Sequence, residues 1–370
     1  SMKNWFTIIF CSFCIQGFSQ TMTLYSRNVL KKNREKFYRN IVQNVILKNL
    51  SDSSTVANEE AWASAFDAIA LIQYHTPFTD LKIRQAVESF PEHGLIFQRS
   101  LLDLLNALYP ETYHEPVKKY LNAIEDAKTF AMAANYILNK GTEDDAVYIE
   151  FLTQERMSRD KEDPYYQLLY YEASLFNKKI SAPGLSGFFQ KNYLPGSVLL
   201  ISVQRKNRNY PGLVLIRDAN GNFVKADDGT IFHIPQLARS ISNMPGYISN
   251  GNTPEGIFRM DGFEVSNNAF IGPSVNVQMK MPFEDKASHF FMDVNMPDSI
   301  WNKSDYAKLL PKDFQNYYPI YQAFYAGMLG RTEIIAHGST VNPGYYTGQT
   351  YYPFNPTAGC LVTKENWSEE

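Results

Sequence analysis

The sequence predicts an α + β chain in two parts: an all-helical, solenoid-like region over residues 20–190 and a mostly β region over residues 197–370. Three observations carry this. Apolar residues recur at helical spacing from about Glu59 to Phe176. From Ser197 onward the period falls towards two. Between these stretches, Ser181-Ala182-Pro183-Gly184 through Pro195-Gly196 has the composition of a linker.

The elements follow in order. Ser1 ahead of Met2 reads as a cloning remnant. Lys3, the apolar run Trp5 to Ile15 and the small residues at Gly17 and Ser19 form a signal-peptide pattern over residues 1–19, cut near Ser19 or Gln20. The mature chain is therefore expected outside the cytoplasm, in the periplasm or cell envelope. Trp62, Ala65, Phe66 and Ile69 fall at i, i+3, i+4, i+7, and Ile83, Ala86, Val87 and Phe90 repeat the pattern, as do Val117, Tyr120, Leu121 and Ile124. Pro91 and Pro110 end helical runs, and Gly141 stands where a C-cap glycine belongs. Thr142 can cap the next helix with Asp145, which makes Glu143-Asp144-Asp145 a first helical turn rather than a carboxylate site. A recurrence of about 30 residues suggests stacked helical hairpins. Strands are expected over Ser197 to Val203, Leu213 to Ile216, Ile271 to Met279 and Glu333 to Ala336, with a turn at Asp218-Ala219-Asn220-Gly221 leading into Phe223-Val224.

Composition narrows the function. Of 370 residues, 44% are apolar and 20% charged, which excludes collagen-like, disulfide-scaffold and wholly disordered chains. The net charge of −3 leaves no electrostatic footprint for nucleic acid. The 24 Tyr and 25 Phe suffice for a large core and for rings that line a groove. Cys11 and Cys14 fall within the signal peptide, so the mature chain keeps Cys360. A lone cysteine in an oxidising compartment is a buried bystander, an intermolecular bridge or a reactive thiol. Its neighbours favour the last.

Glu333-Ile334-Ile335-Ala336-His337-Gly338-Ser339 delivers His337 to a strand end. After a loop rich in Pro, Gly and Tyr, Asn355-Pro356-Thr357-Ala358-Gly359-Cys360-Leu361 presents Cys360. A thiol with a pKa of about 8.5 is little ionised at neutral pH, so a nucleophilic cysteine needs a base, which an imidazole within reach supplies by forming an ion pair. Gly359 permits a turn whose amides converge on an oxyanion, each donor contributing roughly 3–4 kcal/mol. The expected catalytic set is Cys360 as nucleophile, His337 as base and Gly359 as the oxyanion turn.

This stretch resembles the catalytic segment of the L,D-transpeptidases, the YkuD-type cell-wall enzymes: a His-Gly at a strand end, a loop, then Ser/Thr-His-Gly-Cys with an Arg two residues on. The chain keeps His337-Gly338, Thr357, Gly359 and Cys360. Upstream, Asn252-Thr253-Pro254-Glu255-Gly256-Ile257-Phe258 is similar to the family's Thr-Pro-x-Gly-x-Phe hairpin. The resemblance spans roughly residues 197–370 and implies an L,D-transpeptidase-like β-rich catalytic domain that needs no cofactor. Ala358 stands where the family has its second His, and Val362 where it has the Arg that holds a substrate carboxylate. The 23 residues from His337 to Cys360 exceed the family's usual spacing. The family continues after the Cys with a short helix where ten residues remain here, so a longer natural chain is expected.

Gly338, Ser339, Thr357, Tyr346 and Arg331 are the expected substrate-binding positions. Tyr345, Tyr346, Tyr351 and Tyr352 line a groove or pack the loop. Arg331 lies an even offset from His337 and shares its strand face, which makes it a candidate for the missing Arg or a surface residue. Ser339 or Asn355 orients the imidazole. The order His before Cys differs from papain-like and NlpC/P60 hydrolases, and sortases place an Arg after the Cys. No metal site is expected, since the His residues show no ligand spacing. His75, His93 and His114 read as packing or surface residues, and His233 and His289 lack a partner motif.

Two functions follow. The first is an exported cysteine acyltransferase on peptidoglycan stem peptides, an L,D-transpeptidase or L,D-carboxypeptidase working through a thioester. The second is a non-catalytic envelope or peptidoglycan-binding module, with the helical region as a platform for an envelope protein.

Overall fold

The computed structural model describes residues 26–178 and 180–366, so the expected signal peptide lies outside the described residues. Among the described residues no helix is long and apolar enough to cross a membrane. The protein is mixed α/β, with helices first and two small sheets later.

The first part forms α1 (Lys31–Asn40), which runs into a π-helical stretch (Ile41–Leu47), then α2 (Glu59–Ile72), α3 (Pro77–Glu88), α4 (Leu95–Leu108), α5 (His114–Leu121), α6 (Ala127–Lys140), α7 (Glu143–Met157), α8 (Pro164–Ser174) and the short α9 (Ser186–Phe189). Helices α2, α4, α6 and α8 pack in series. The apolar face of α2 does what its spacing predicts: Trp62, Ala65, Phe66 and Ile69 are fully buried, and Phe66 meets Phe97 of α4 edge-on at 5.1 Å. Thr142 and Asp145 form the expected capping box of α7, and Asp145 also pairs with Lys118. Gly141 caps α6 with an ordinary φ of −79°, not a left-handed one. Glycine is needed there for space, because a Cβ would press on the Ile137 carbonyl at 2.6 Å.

The second part holds two sheets. β1 (Leu199–Val203), β2 (Gly212–Arg217) and β3 (His233–Gln236) form an antiparallel sheet in that order. β4 (Arg259–Glu264), β5 (Asn276–Lys280), β6 (Ile335–Gly338) and β7 (Leu361–Thr363) form the other, antiparallel except for β6 and β7. That parallel pair sets Ala336 opposite Leu361, His337 opposite Val362 and Gly338 opposite Thr363. Leu237 and Val362 exchange both backbone bonds and so join the sheets. Three short helices lie between β5 and β6: α10 (Ala287–Phe291), α11 (Lys303–Lys308) and α12 (Gln322–Met328). The strand expected from Ile271 begins only at Asn276. Its first half is held out of the ladder because Gly272 N–H bonds to the Gly338 carbonyl and Ser274 bonds to the Glu365 carboxylate. Phe223 makes only an isolated bridge to Arg217.

The linker in sequence is not a boundary in packing. Trp62, Phe97 and Phe130 from the helical part share one hydrophobic cluster with Tyr247, Ile248, Tyr306 and Phe324 from the β-rich part. Tyr247 is the deepest plug. Its hydroxyl donates to Glu172 at 2.8 Å and accepts from Asn135 at 3.0 Å. Burial pushes the Glu172 carboxyl up to about 8, against the hydrogen bonds from Tyr247 and Asn135 that favour the charged form.

The folded chain therefore holds the Glu172 proton more tightly than the unfolded chain, whose carboxyl titrates near 4.5. Stability should fall as pH rises from about 4.5 to about 8. A glutamine in its place would keep an acceptor for Tyr247 and remove the ionisation. Thermal melts of Glu172→Gln should match the wild type near pH 4 and exceed it at pH 9, by on the order of 2 kcal/mol after discounting for partial exposure. Equal or lower stability at pH 9 contradicts this.

Candidate active site

Cys360 leaves a tight turn and enters β7, which lies beside the strand carrying His337. The turn is shaped by Thr357, whose Oγ1 accepts from the amides of Gly359 at 3.1 Å and Cys360 at 2.9 Å. Gly359 has φ of +116°, and a Cβ there would overlap the Arg331 guanidinium and the Gly251 carbonyl. Glycine is thus required both by conformation and by space. Thr253, the first residue of the Thr-Pro-x-Gly stretch, donates from Oγ1 to the Gly359 carbonyl at 2.7 Å. The stretch is irregular chain leading into β4 and not the expected hairpin, and it is anchored by Tyr306, whose hydroxyl accepts from Ile257 N–H at 2.7 Å.

Arg331 lies beneath the turn, 5% exposed. It donates to the carbonyls of Gly246, Gly251 (2.6 Å), Asn252 (2.9 Å) and Ala358 (3.2 Å). It binds two protein segments together and is neither a surface residue nor free to hold a substrate carboxylate. Burial brings its pKa down to about 10, with the charges of Cys360 and Asp103 opposing the shift. Arg331 remains a cation at neutral pH beside the thiol. Val362 is fully buried against Leu237, Tyr346, Tyr351 and Phe354. An Arg at that position would have its charge in a core, so the family's Arg has no room here.

The Cys360 thiol is half-buried and directed at the Glu333 carbonyl at 3.7 Å. Burial pushes its pKa up, and the Ile335 amide, Arg331 and Thr357 pull it back by less. The expected resting ion pair with His337 is corrected by this: the thiol is raised, and among the described residues no hydrogen bond joins it to the imidazole. His337 is itself buried, and burial pushes its pKa down against the Gly338 carbonyl and the Glu365 charge. The imidazole is neutral at neutral pH. A carbonyl can only accept, so the 2.6 Å contact of Nδ1 with the Gly338 oxygen fixes the proton on Nδ1 and leaves Nε2 with a lone pair. The thiol sits beside Ile335, which shares a strand face with His337 at a separation of ~7 Å. A neutral thiol and a neutral base favour proton transfer as bonds form over a stored thiolate.

The other expected positions sort as follows. Neither Ser339 nor Asn355 bonds the imidazole; they bond each other, Asn355 N–H to Ser339 Oγ at 3.0 Å, and close the loop. Gly338 is buried under Glu365, whose carboxylate a Cβ would strike. Tyr346 is 3% exposed and packs against Tyr351, so it builds the loop's core and lines no groove. Tyr345 stacks on Tyr38 of α1 at 5.8 Å, and Tyr352 is exposed. His93 stacks on Phe97 and bonds Glu59, His75 pairs with Asp80, and His114 bonds the Ile137 carbonyl, all packing or surface roles. His233 Nδ1 meets the Ile231 carbonyl just ahead of β3. His289 pairs with Asp285 near exposed Asp261. Sequence reasoning missed Glu365, a buried carboxylate that bonds Ser274 and bears on His337; it lies in no motif. Comparison with protein-family models, curated proteins and solved structures returns no match to this chain.

Two outcomes follow from this geometry. Labelling of Cys360 by iodoacetamide against pH should show a midpoint above the free-thiol reference of about 8.5; a midpoint near 7 contradicts the buried, protonated thiol. Gly359→Ala should destabilise the fold by at least about 2 kcal/mol in denaturant melts, from left-handed strain and overlap with Arg331. A loss near zero would mean that the turn is not held as described.

Proposed function

We propose that the protein is an exported cysteine acyltransferase of L,D-transpeptidase type, acting on peptidoglycan stem peptides, with the β-rich part in a YkuD-like fold and the helical part a solenoid-like array packed on it. The observation that carries the reading is the parallel pairing of β6 with β7, which sets the strand bearing His337 beside the strand that leaves Cys360. The fixed Nδ1–H tautomer supports His337 as the base, and the glycine-dependent turn supports Cys360 as the nucleophile.

In this reading the thiol turns from the Glu333 carbonyl towards His337. Nε2 takes the S–H proton as sulfur bonds to the carbonyl carbon of the third stem residue. The C–N bond to the terminal D-alanine breaks, and the imidazolium returns its proton to the leaving amine. The thioester is then attacked by an amine, giving a cross-link, or by water, giving a carboxypeptidase. The Gly359 and Cys360 amides serve the oxyanion once Thr357 Oγ1 gives them up.

A second reading, a peptidoglycan-binding module, is favoured by one observation: both turn amides are taken by Thr357 and the thiol faces away from the base. Incubation with a disaccharide tetrapeptide, followed by mass spectrometry, separates the two. Loss of D-alanine or formation of a dimer is expected, abolished in Cys360→Ala and slowed at least about 100-fold in His337→Ala. Binding without any change in substrate mass favours the module.

A further inference from the structure

We propose that the helical part completes the mount of the nucleophile: Asp103 on α4 and Lys128 on α6 are positioning residues that hold the loop over 243–252 and, through Arg331, the Cys360 turn. This rests on the reading of Cys360 as the reacting thiol. It differs from a helical platform that serves only an external partner.

The loop has two working faces. Towards the helices, Asn250 Nδ2 donates to Asp103 Oδ2 at 3.1 Å, Lys128 Nζ donates to Ser249 Oγ at 3.0 Å, and Tyr247 is fully buried among α6 and α8 residues. Towards the turn, the carbonyls of Gly246, Gly251 and Asn252 take up Arg331. The loop between these faces is stiff. Asn252 N–H bonds the Met244 carbonyl at 2.8 Å, Ser242 Oγ bonds the Asn250 carbonyl at 2.7 Å, and Gly251 N–H bonds the Ile248 carbonyl at 2.9 Å. A shift imposed on Asn250 or Ser249 therefore reaches the carbonyls that hold the guanidinium. Asp103 Oδ1 is closed off from solvent and bonds no described group, a costly placement that an apolar residue would avoid. What the carboxylate gains is the bond to Asn250 through its other oxygen.

The charges around Asp103 come from α2, α4, α6 and Arg331. Asp67 of α2 opposes its ionisation, while Lys128 of α6 and Arg331 favour it; Arg99 and Asp126 act on Lys128. Burial pushes the carboxyl up to about 7, so it is negative above neutral pH.

The test uses the full chain and iodoacetamide, with Cys360 labelling mapped by peptide mass spectrometry across pH. Asp103→Ala and Asn250→Gly should each raise the labelling midpoint by about half a unit or more and slow labelling at pH 8 about threefold, because Arg331 no longer steadies the thiolate. Asp103→Asn still accepts from Asn250 and should keep the midpoint at or slightly below the wild-type value. Ile69→Val, a core change remote from the loop, should lower stability and leave the midpoint alone. Asn250→Gly removes an exposed side chain, keeps the left-handed φ of +61° at that position and leaves the test open where Asp103→Ala misfolds. Folded Asp103→Ala or Asn250→Gly variants with wild-type midpoints overturn the proposal, as does an equal shift in Ile69→Val. Labelling needs no turnover, so a protein inert towards muropeptides sinks the acyl-transfer reading while this coupling is still measured.

Discussion

The rest of the structure depends on one buried cation. A guanidinium taken out of water needs its donors filled, and among the described residues no carboxylate is hydrogen-bonded to Arg331. Four backbone carbonyls fill them instead, from Gly246, Gly251, Asn252 and Ala358. The chain that presents them is crowded: a Cβ at Gly246 would meet Pro254 and Gln322, one at Gly251 would meet the Pro245 and Ile248 carbonyls, and Gly359 also takes a left-handed φ of +116°. The cysteine turn and the loop over 243–252 meet at this one side chain, and Thr253 joins them through its bond to the Gly359 carbonyl. Removing Arg331 would leave carbonyls buried and unpaired in both.

The same constraint ties the two parts of the chain into one unit. Loops usually lie on surfaces, yet this one is covered by α4, α6 and α8 and sends Tyr247 into the shared core. The chemistry inherits the burial. Cys360 and His337 are both desolvated, so both rest neutral, and the Ile335 amide first and the charge of Arg331 second oppose the upward shift of the thiol. Under the acyl-transfer function proposed above, the thiolate forms as substrate binds. That suits the exported enzyme proposed above, whose lone mature thiol would otherwise meet oxidants.

Much of the helical part was legible in the sequence, because its signals are local: the apolar spacing of Trp62 to Ile69 and the Thr142–Asp145 box. Strand β6 was legible in part: it was expected over Glu333 to Ala336 and runs over Ile335–Gly338, because Glu333 has a left-handed φ of +63°. What stayed hidden depends on contacts distant in sequence. β7 has three residues and is recognisable only by its pairing with β6 and Leu237. Ile271 to Val275 has strand composition but loses its ladder to Gly338 and Glu365. Arg331 was expected on the strand face of His337, but β6 begins only at Ile335 and Glu333, with φ of +63°, breaks the extended chain between them; the loop partners of Arg331, Gly246 and Gly251, lie 85 and 80 residues away. In the site, Cys360, His337 and Gly359 were legible as types in a pattern. The raised thiol was not, because desolvation is a property of the assembled core. Tyr346 reads equally as a groove ring or a core ring until Leu237 and Val362 are seen around it.

In the function proposed above, the turn held by Arg331 presents Cys360 for acylation. The most direct measurement is the intact mass of the folded full chain after incubation with a carbapenem, a β-lactam that acylates the cysteine of L,D-transpeptidases. A single adduct located at Cys360 is expected, formed at least about tenfold more slowly in Arg331→Lys, which has fewer donors to hold the turn. A wild-type protein that stays unmodified, or an Arg331→Lys variant that reacts at the wild-type rate, would contradict it.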